Sequence, residues 1–153
     1  DLVNLLLNYP YTIAGTVRKG DGMGHRIGYP TMDIFPCQEK ILPPAGAYVC
    51  KLKVDGQWYQ GVCNIGQKPT VSDGEITILS VHLFCYEEKE EASGKPIVLQ
   101  LYHYLRPEEK FDDIDKLKNQ IQSDIREGKR HFLLTMESRR MLLEIKNKCE
   151  EKN

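Results

Sequence analysis

No stretch of this 153-residue chain stays apolar for the roughly 18 residues a membrane-crossing helix needs, and no signal-like apolar segment opens it. Lys and Arg form no basic tract and no stripe interleaved with aromatics. The formal net charge is only −1, so nucleic acid is not an expected partner. Cysteine is poorly placed for zinc or a disulfide framework: Cys37, Cys50, Cys63, Cys85 and Cys149 make 5, an odd number, and none forms Cys-x-x-Cys. Cys50, Cys63 and Cys85 lie in apolar runs where a free thiol is a small core group, so a reducing compartment, the cytoplasm, is expected. Internal repeats and low-complexity linkers are absent, and 41% hydrophobic content at this length suits one domain. The chain starts at Asp1 rather than Met, which suggests a piece of something longer.

One further absence concerns chemistry. The stretch GDGMGHRIGYPTMD, Gly20 to Asp33, has the glycine content of a phosphate-receiving loop but no Gly-Lys-Ser/Thr step. Glycines such as Gly20, Gly22 and Gly24 let backbone N–H groups approach an anion closely enough to replace the lysine. Pro30 fixes the chain before Thr31, whose hydroxyl suits a hard cation. Asp33 follows on the same strand face with a carboxylate. Taken alone, the same residues also read as a surface turn entering a strand.

The middle of the chain reads as β-structure. YTIAGTVR (Tyr11 to Arg18) leads into the glycine loop. AYVCKLKV alternates, with Tyr48, Cys50, Leu52 and Val54 on one face. Asp55-Gly56 signals a two-residue hairpin that would pair Leu52 with Tyr59 and Cys50 with Gly61. EITILSVHLFCYE and PIVLQLYHYLR are further strands, and EKEEASGK between them reads as a solvated hairpin tip. From Phe111 the period changes: Ile114, Leu117, Ile121 and Ile125 form a helical stripe, with Asp112 as N-cap and Asp113 and Asp115 in the first turn. Gly128 reads as a bend or stop before a second helical stretch, FLLTMESRRMLLEIKNK. Six or so strands followed by helices predict a closed or nearly closed antiparallel barrel with helices on its side.

The chain resembles the riboflavin kinase family. The family's signature is a glycine-rich loop running into Gly-(Phe/Leu/Tyr)-Pro-Thr-Ala-Asn, which here reads GHRIGYPTMDI. The likeness continues, in the family's order, through GAYVCKLKVDG, GVCNIGQKPTV and YLRPEEKFDDIDKLKNQIQSDI, and covers roughly residues 10 to 132. LLLNYPYTIAG resembles the segment that joins the adenylyltransferase domain to the kinase domain in bacterial bifunctional FAD synthetases. The resemblance implies a mainly β, six-stranded Greek-key (split) barrel with C-terminal α-helices on its side. Its implied divisions are a linker or short helix at 1–9, a barrel at 10–110 and helices at 111–153. The implied activity is transfer of the ATP γ-phosphate to the ribityl 5′-hydroxyl of riboflavin, giving FMN. Gly20, Gly22, Gly24, Thr31 and Asp33 would hold nucleotide phosphate, Thr31 and Asp33 would hold Mg²⁺, and Arg106 would touch the flavin. An ion pair is the alternative for Arg106. An N-terminal adenylyltransferase domain is the implied partner in a full-length chain.

Three departures from the family pattern matter. Asp33 replaces asparagine and Met32 replaces alanine, which adds a charge that phosphate repels. Ser93-Gly94 stands where Tyr-Gly is usual. Most seriously, the glutamate of Glu-Val-His-Leu, which takes the proton from the attacking hydroxyl, is Ser80 here. Glu75 and Glu87 lie at odd spacing from residue 80, on the opposite strand face, and Glu88 is roughly 26 Å along a strand. General-base catalysis is worth about 10²–10⁴-fold, so a slow kinase is expected. A non-catalytic flavin- or nucleotide-binding or regulatory domain is the competing reading, with a split-barrel protein using FMN for redox work third. His82 and His103, if they face each other across the last hairpin, form a two-ligand metal candidate.

Overall fold

The computed structural model describes residues 2–7, 9–18, 22–37, 41–69, 75–87 and 93–150. Its elements are α1 (Leu2–Leu7), β1 (Tyr11–Arg18), α2 (Met23–Arg26), β2 (Met32–Pro36), β3 (Gly46–Val54), β4 (Gln57–Pro69), β5 (Glu75–Leu83), β6 (Pro96–Pro107) and α3 (Ile114–Glu150). The six strands close into an antiparallel barrel in the order β1-β2-β5-β4-β3-β6. β3, β4 and β5 form a meander, and β6 returns beside β3 in Greek-key fashion.

Alternation builds the interior. Ile34, Cys50, Leu52, Cys63, Leu79, Val81 and Leu99 are buried together inside the barrel, so their strand neighbours face outward. The Asp55-Gly56 turn sets the register there. Both residues take positive φ (50° and 79°), as a type I′ hairpin requires, and Leu52 pairs with Tyr59 and Cys50 with Gly61 as the alternation predicts. α1 is tied to the barrel through Asn4, whose Nδ2 donates to the Leu101 carbonyl (2.8 Å) and whose Oδ1 accepts from the Tyr11 amide (2.8 Å).

Three expectations are corrected. β5 and β6 do not form a hairpin, because β5 pairs with β2 and β4 while β6 pairs with β1 and β3. Closing the barrel requires the last strand to bond the first, so the charged connection joins non-neighbouring strands; residues 88–92 of it lie outside the described residues. The second correction concerns the helix, which is one continuous element rather than two. Gly128 does not end it. A Cβ there would stand 2.9 Å from Val62 Cγ1 and 3.1 Å from Phe84, so the glycine serves close packing of helix on barrel. The cap also shifts by one residue: Asp113 Oδ1, not Asp112, accepts the Asp115 amide at 2.9 Å.

Candidate active site

Strand register assembles the site. On the outer face, Asp33 pairs with Ser80, Ser80 with Asn64, Asn64 with Ala47, and Ala47 with Arg106. The result is a row across β2, β5, β4, β3 and β6 reading carboxylate, hydroxyl, carboxamide, methyl and guanidinium. Cross-strand neighbours of this kind have Cβ atoms about 4.5–5.5 Å apart, so each side chain lies within reach of the next. The methyl of Ala47 is the low point of the row. It leaves room that a larger side chain would fill.

This row floors a cleft of about 270 Å³ between the barrel and α3. Gly24, Ile27, Tyr29 and Thr31 form one wall, and Phe111, Leu117, Ile121 and Asp124 another. A smaller cleft of about 130 Å³ lies beside it, lined by His25, Pro30, Met32, Val81, Leu83 and Tyr86, and Thr31 borders both. Thr31 therefore stands where the cleft under the helix meets a second slot at the loop.

The structure thus brings Gly24, Thr31, Asp33, Ser80 and Arg106 together in one cleft. Gly22 lies in the same loop with φ 70°, and Gly20 falls outside the described residues. Part of the loop's donor capacity is used internally: the amides of Arg26, Gly28 and Tyr29 donate to the carbonyls of Gly22, His25 and Gly24. Gly24 has a steric reason to be glycine, since a Cβ would stand 2.5 Å from the Tyr29 carbonyl oxygen and 2.7 Å from Thr31 Oγ1.

Ser80 Oγ donates to Asp33 Oδ1 at 2.7 Å, and Asp33 is only 7% exposed. The position expected to hold a base therefore holds a hydroxyl oriented by a carboxylate one strand away. Thr31 and Asp33 are hard oxygen donors lining the same cleft and fit Mg²⁺, which keeps several waters in its shell. No cluster of three His, Cys, Asp or Glu side chains able to hold a metal stands among the described residues.

Arg106 is engaged by α3. Its Nε (3.0 and 3.2 Å) and Nη2 (2.8 Å) donate to Asp124, and Nη1 donates to the Pro107 carbonyl at 3.0 Å. Gln120 Nε2 supplies Asp124 with another bond at 2.9 Å. His82 and His103 do not meet, a consequence of the missing hairpin. His82 Nδ1 donates to the Pro30 carbonyl at 2.9 Å, while His103 stacks on His131 of α3 with ring centroids 5.2 Å apart.

Sequence reasoning missed Asn64 and Asp124. The signal for Asn64 was present: with Cys63 and Ile65 facing inward, Asn64 faces out, and the Asp55-Gly56 turn fixes it opposite Ala47. Asp124 belongs to the same helical stripe as Leu117 and Ile121, but a carboxylate on such a stripe announces no partner by itself.

The chain is similar to known proteins. The riboflavin kinase (flavokinase) family model matches residues 7–132. The bifunctional riboflavin kinase/FMN adenylyltransferase of Bacillus subtilis (strain 168) is 39% identical over 132 residues, 86% of this chain and 42% of that protein. The protein of the same description from Haemophilus influenzae is 35% identical over 132 residues, again 86% of this chain and 42% of the relative. This chain therefore spans about two fifths of the length of these relatives. A crystal structure described as a macrolide-efflux protein from Streptococcus pneumoniae superposes with a TM-score of 0.73 at 27% identity, covering 80% of this chain and 40% of that one. No helix among the described residues is long and apolar enough to cross a membrane.

Proposed function

The chain belongs to the riboflavin kinase family, and we propose that it transfers the γ-phosphate of ATP to the 5′-hydroxyl of riboflavin, giving FMN and ADP. The observation that supports this reading is the convergence of loop and barrel row at Thr31, which borders two adjoining clefts. In this reading the nucleotide lies along the loop from Gly20 to Gly24, its phosphates reaching Thr31 and Asp33. The flavin ring occupies the slot under α3, against Ile27, Val62, Phe111, Leu117 and Ile121, and Ala47 leaves room for its chain. Mg²⁺, held by Thr31 and Asp33, would supply positive charge against the phosphates.

Each side chain has a definable task. Ser80 donates its hydroxyl hydrogen bond to Asp33, so the lone pairs of its oxygen are left to accept a hydrogen bond from the ribityl 5′-hydroxyl and aim it. Arg106 and Asp124 clamp the start of α3 over the flavin slot. Phosphoryl transfer passes through a loose transition state in which positioning and charge matter most, so this arrangement supports turnover without a strong base. Turnover is correspondingly slow, by about 10²–10⁴-fold relative to a site with a general base.

The Ser80–Asp33 hydrogen bond favours a second reading, a flavin- and nucleotide-binding module without turnover, because the base position is filled by a hydroxyl already engaged with Asp33. Calorimetric titration with riboflavin, FMN and Mg-ADP beside a phosphate-transfer assay separates the two. Turnover supports the kinase; binding of both ligands without it supports the module. We place the protein in the cytoplasm, consistent with the free thiols of Cys37, Cys50, Cys63 and Cys85. The greater length of its relatives supports a preceding adenylyltransferase domain in the full-length protein.

A further inference from the structure

Asn64 stands at the centre of the row, between the Ser80 hydroxyl and Ala47, and lines the cleft. Among the described residues its carboxamide takes part in no hydrogen bond. No side-chain polar atom among them is sealed away without a partner, so this amide opens to the cleft. Its neighbours differ: Ser80 is bonded to Asp33, His82 to the Pro30 carbonyl, and Arg106 to Asp124. A half-buried carboxamide offers two donors and an acceptor from one planar group. That combination matches adjacent hydroxyls, each of which both donates and accepts. An apolar ring has no use for it, and an anion would use only its donors.

We propose that Asn64 is the residue that recognises the hydroxyl-bearing chain of the phosphoryl acceptor and makes the site selective for a polyol-substituted ring. The proposal rests on the kinase reading above. The chain lies over Ala47, its internal hydroxyls bond the Asn64 carboxamide, and its terminal hydroxyl reaches Ser80 one strand further. Asn64 thereby sets which hydroxyl arrives at Ser80. It positions the acceptor and takes no proton.

The test uses two flavins that share a ring: riboflavin, and lumiflavin, which carries a methyl group in place of the ribityl chain. Affinities for both, and for Mg-ADP, are measured by titration on the wild-type chain and on Asn64→Ala. Loss of one or two neutral hydrogen bonds corresponds to about a 5- to 10-fold weaker riboflavin affinity. Lumiflavin and Mg-ADP affinities should be unchanged. Equal weakening of riboflavin and lumiflavin, or no change for riboflavin, overturns the assignment while leaving the kinase reading intact. If Asn64→Ala does not fold, Asn64→Ser, which keeps a smaller polar group, is read against the same outcomes. A folded wild-type chain that binds Mg-ADP but neither flavin rejects the kinase reading, and the role of Asn64 with it.

Discussion

Ser80 and Asp33 face each other across the β2–β5 pair, with Ser80 Oγ donating to Asp33 Oδ1 at 2.7 Å. Both positions depart from the family's pattern, and they depart together. Where the resemblance leads one to expect an asparagine on β2 and a glutamate on β5, this chain has an aspartate and a serine.

This pairing changes what a restored base would do. Ser80→Glu alone sets a second carboxylate beside Asp33, on the paired position of the next strand, and the two like charges repel. The single variant should therefore gain little in the chemical step. Ser80→Glu with Asp33→Asn relieves the repulsion and should raise transfer by as much as about 10²-fold, with riboflavin affinity unchanged. Single-turnover rates of the single and double variants check this; equal rates would show that Asp33 does not oppose the new base.

Thr31→Ala should weaken nucleotide binding in the presence of Mg²⁺ and leave it nearly unaltered in EDTA, because the lost hydroxyl is a cation ligand rather than a packing group. Titration with ADP in both buffers decides it. Equal loss in both would make Thr31 a direct phosphate or packing contact.

Arg106→Ala removes both guanidinium nitrogens that donate to Asp124 and leaves a carboxylate that is 8% exposed with Gln120 as its remaining bond. A stability loss of about 2–3 kcal/mol is expected, with weaker riboflavin and unchanged Mg-ADP affinity, since the clamp covers only the flavin slot. Denaturant melts and titrations measure both. Unaltered flavin affinity beside lowered stability would confine the pair to holding the helix.

The His103–His131 stack predicts a pH dependence of stability. Burial first, and the neighbouring His103 second, lower the His131 pKa below its ordinary 6.5. The folded state therefore resists protonation there. The contribution of His131 is complete above about pH 6.5 and is lost as pH falls below that unfolded value. Lys51, whose Nζ lies 5.6 Å from the Phe132 ring that edges His131, adds no compensating negative charge. Melting temperatures between pH 7.5 and 5 should fall, and His131→Gln should flatten the slope.

Much of this was legible in the sequence because period-2 alternation and the Asp55-Gly56 turn fix register, and register sets the faces. That logic already placed Leu52 opposite Tyr59 and, followed through, places Asn64 opposite Ala47. What failed was non-local. Nothing local to the charged connection after β5 says that β6 must cross the barrel end to reach β1 and β3, so the His82–His103 pairing built on a hairpin failed with it. Gly128 failed for a related reason: its propensity to interrupt a helix is weak beside a contact with Val62 and Phe84 that the sequence does not display.

The central claim is tested most directly by incubating the wild-type chain in excess with riboflavin and Mg-ATP and following FMN and ADP together. Slow formation of FMN with ADP in equal amount, abolished by Thr31→Ala in a variant that still folds, is the result predicted. Riboflavin and Mg-ATP both bound, with no FMN formed over many hours, would contradict it.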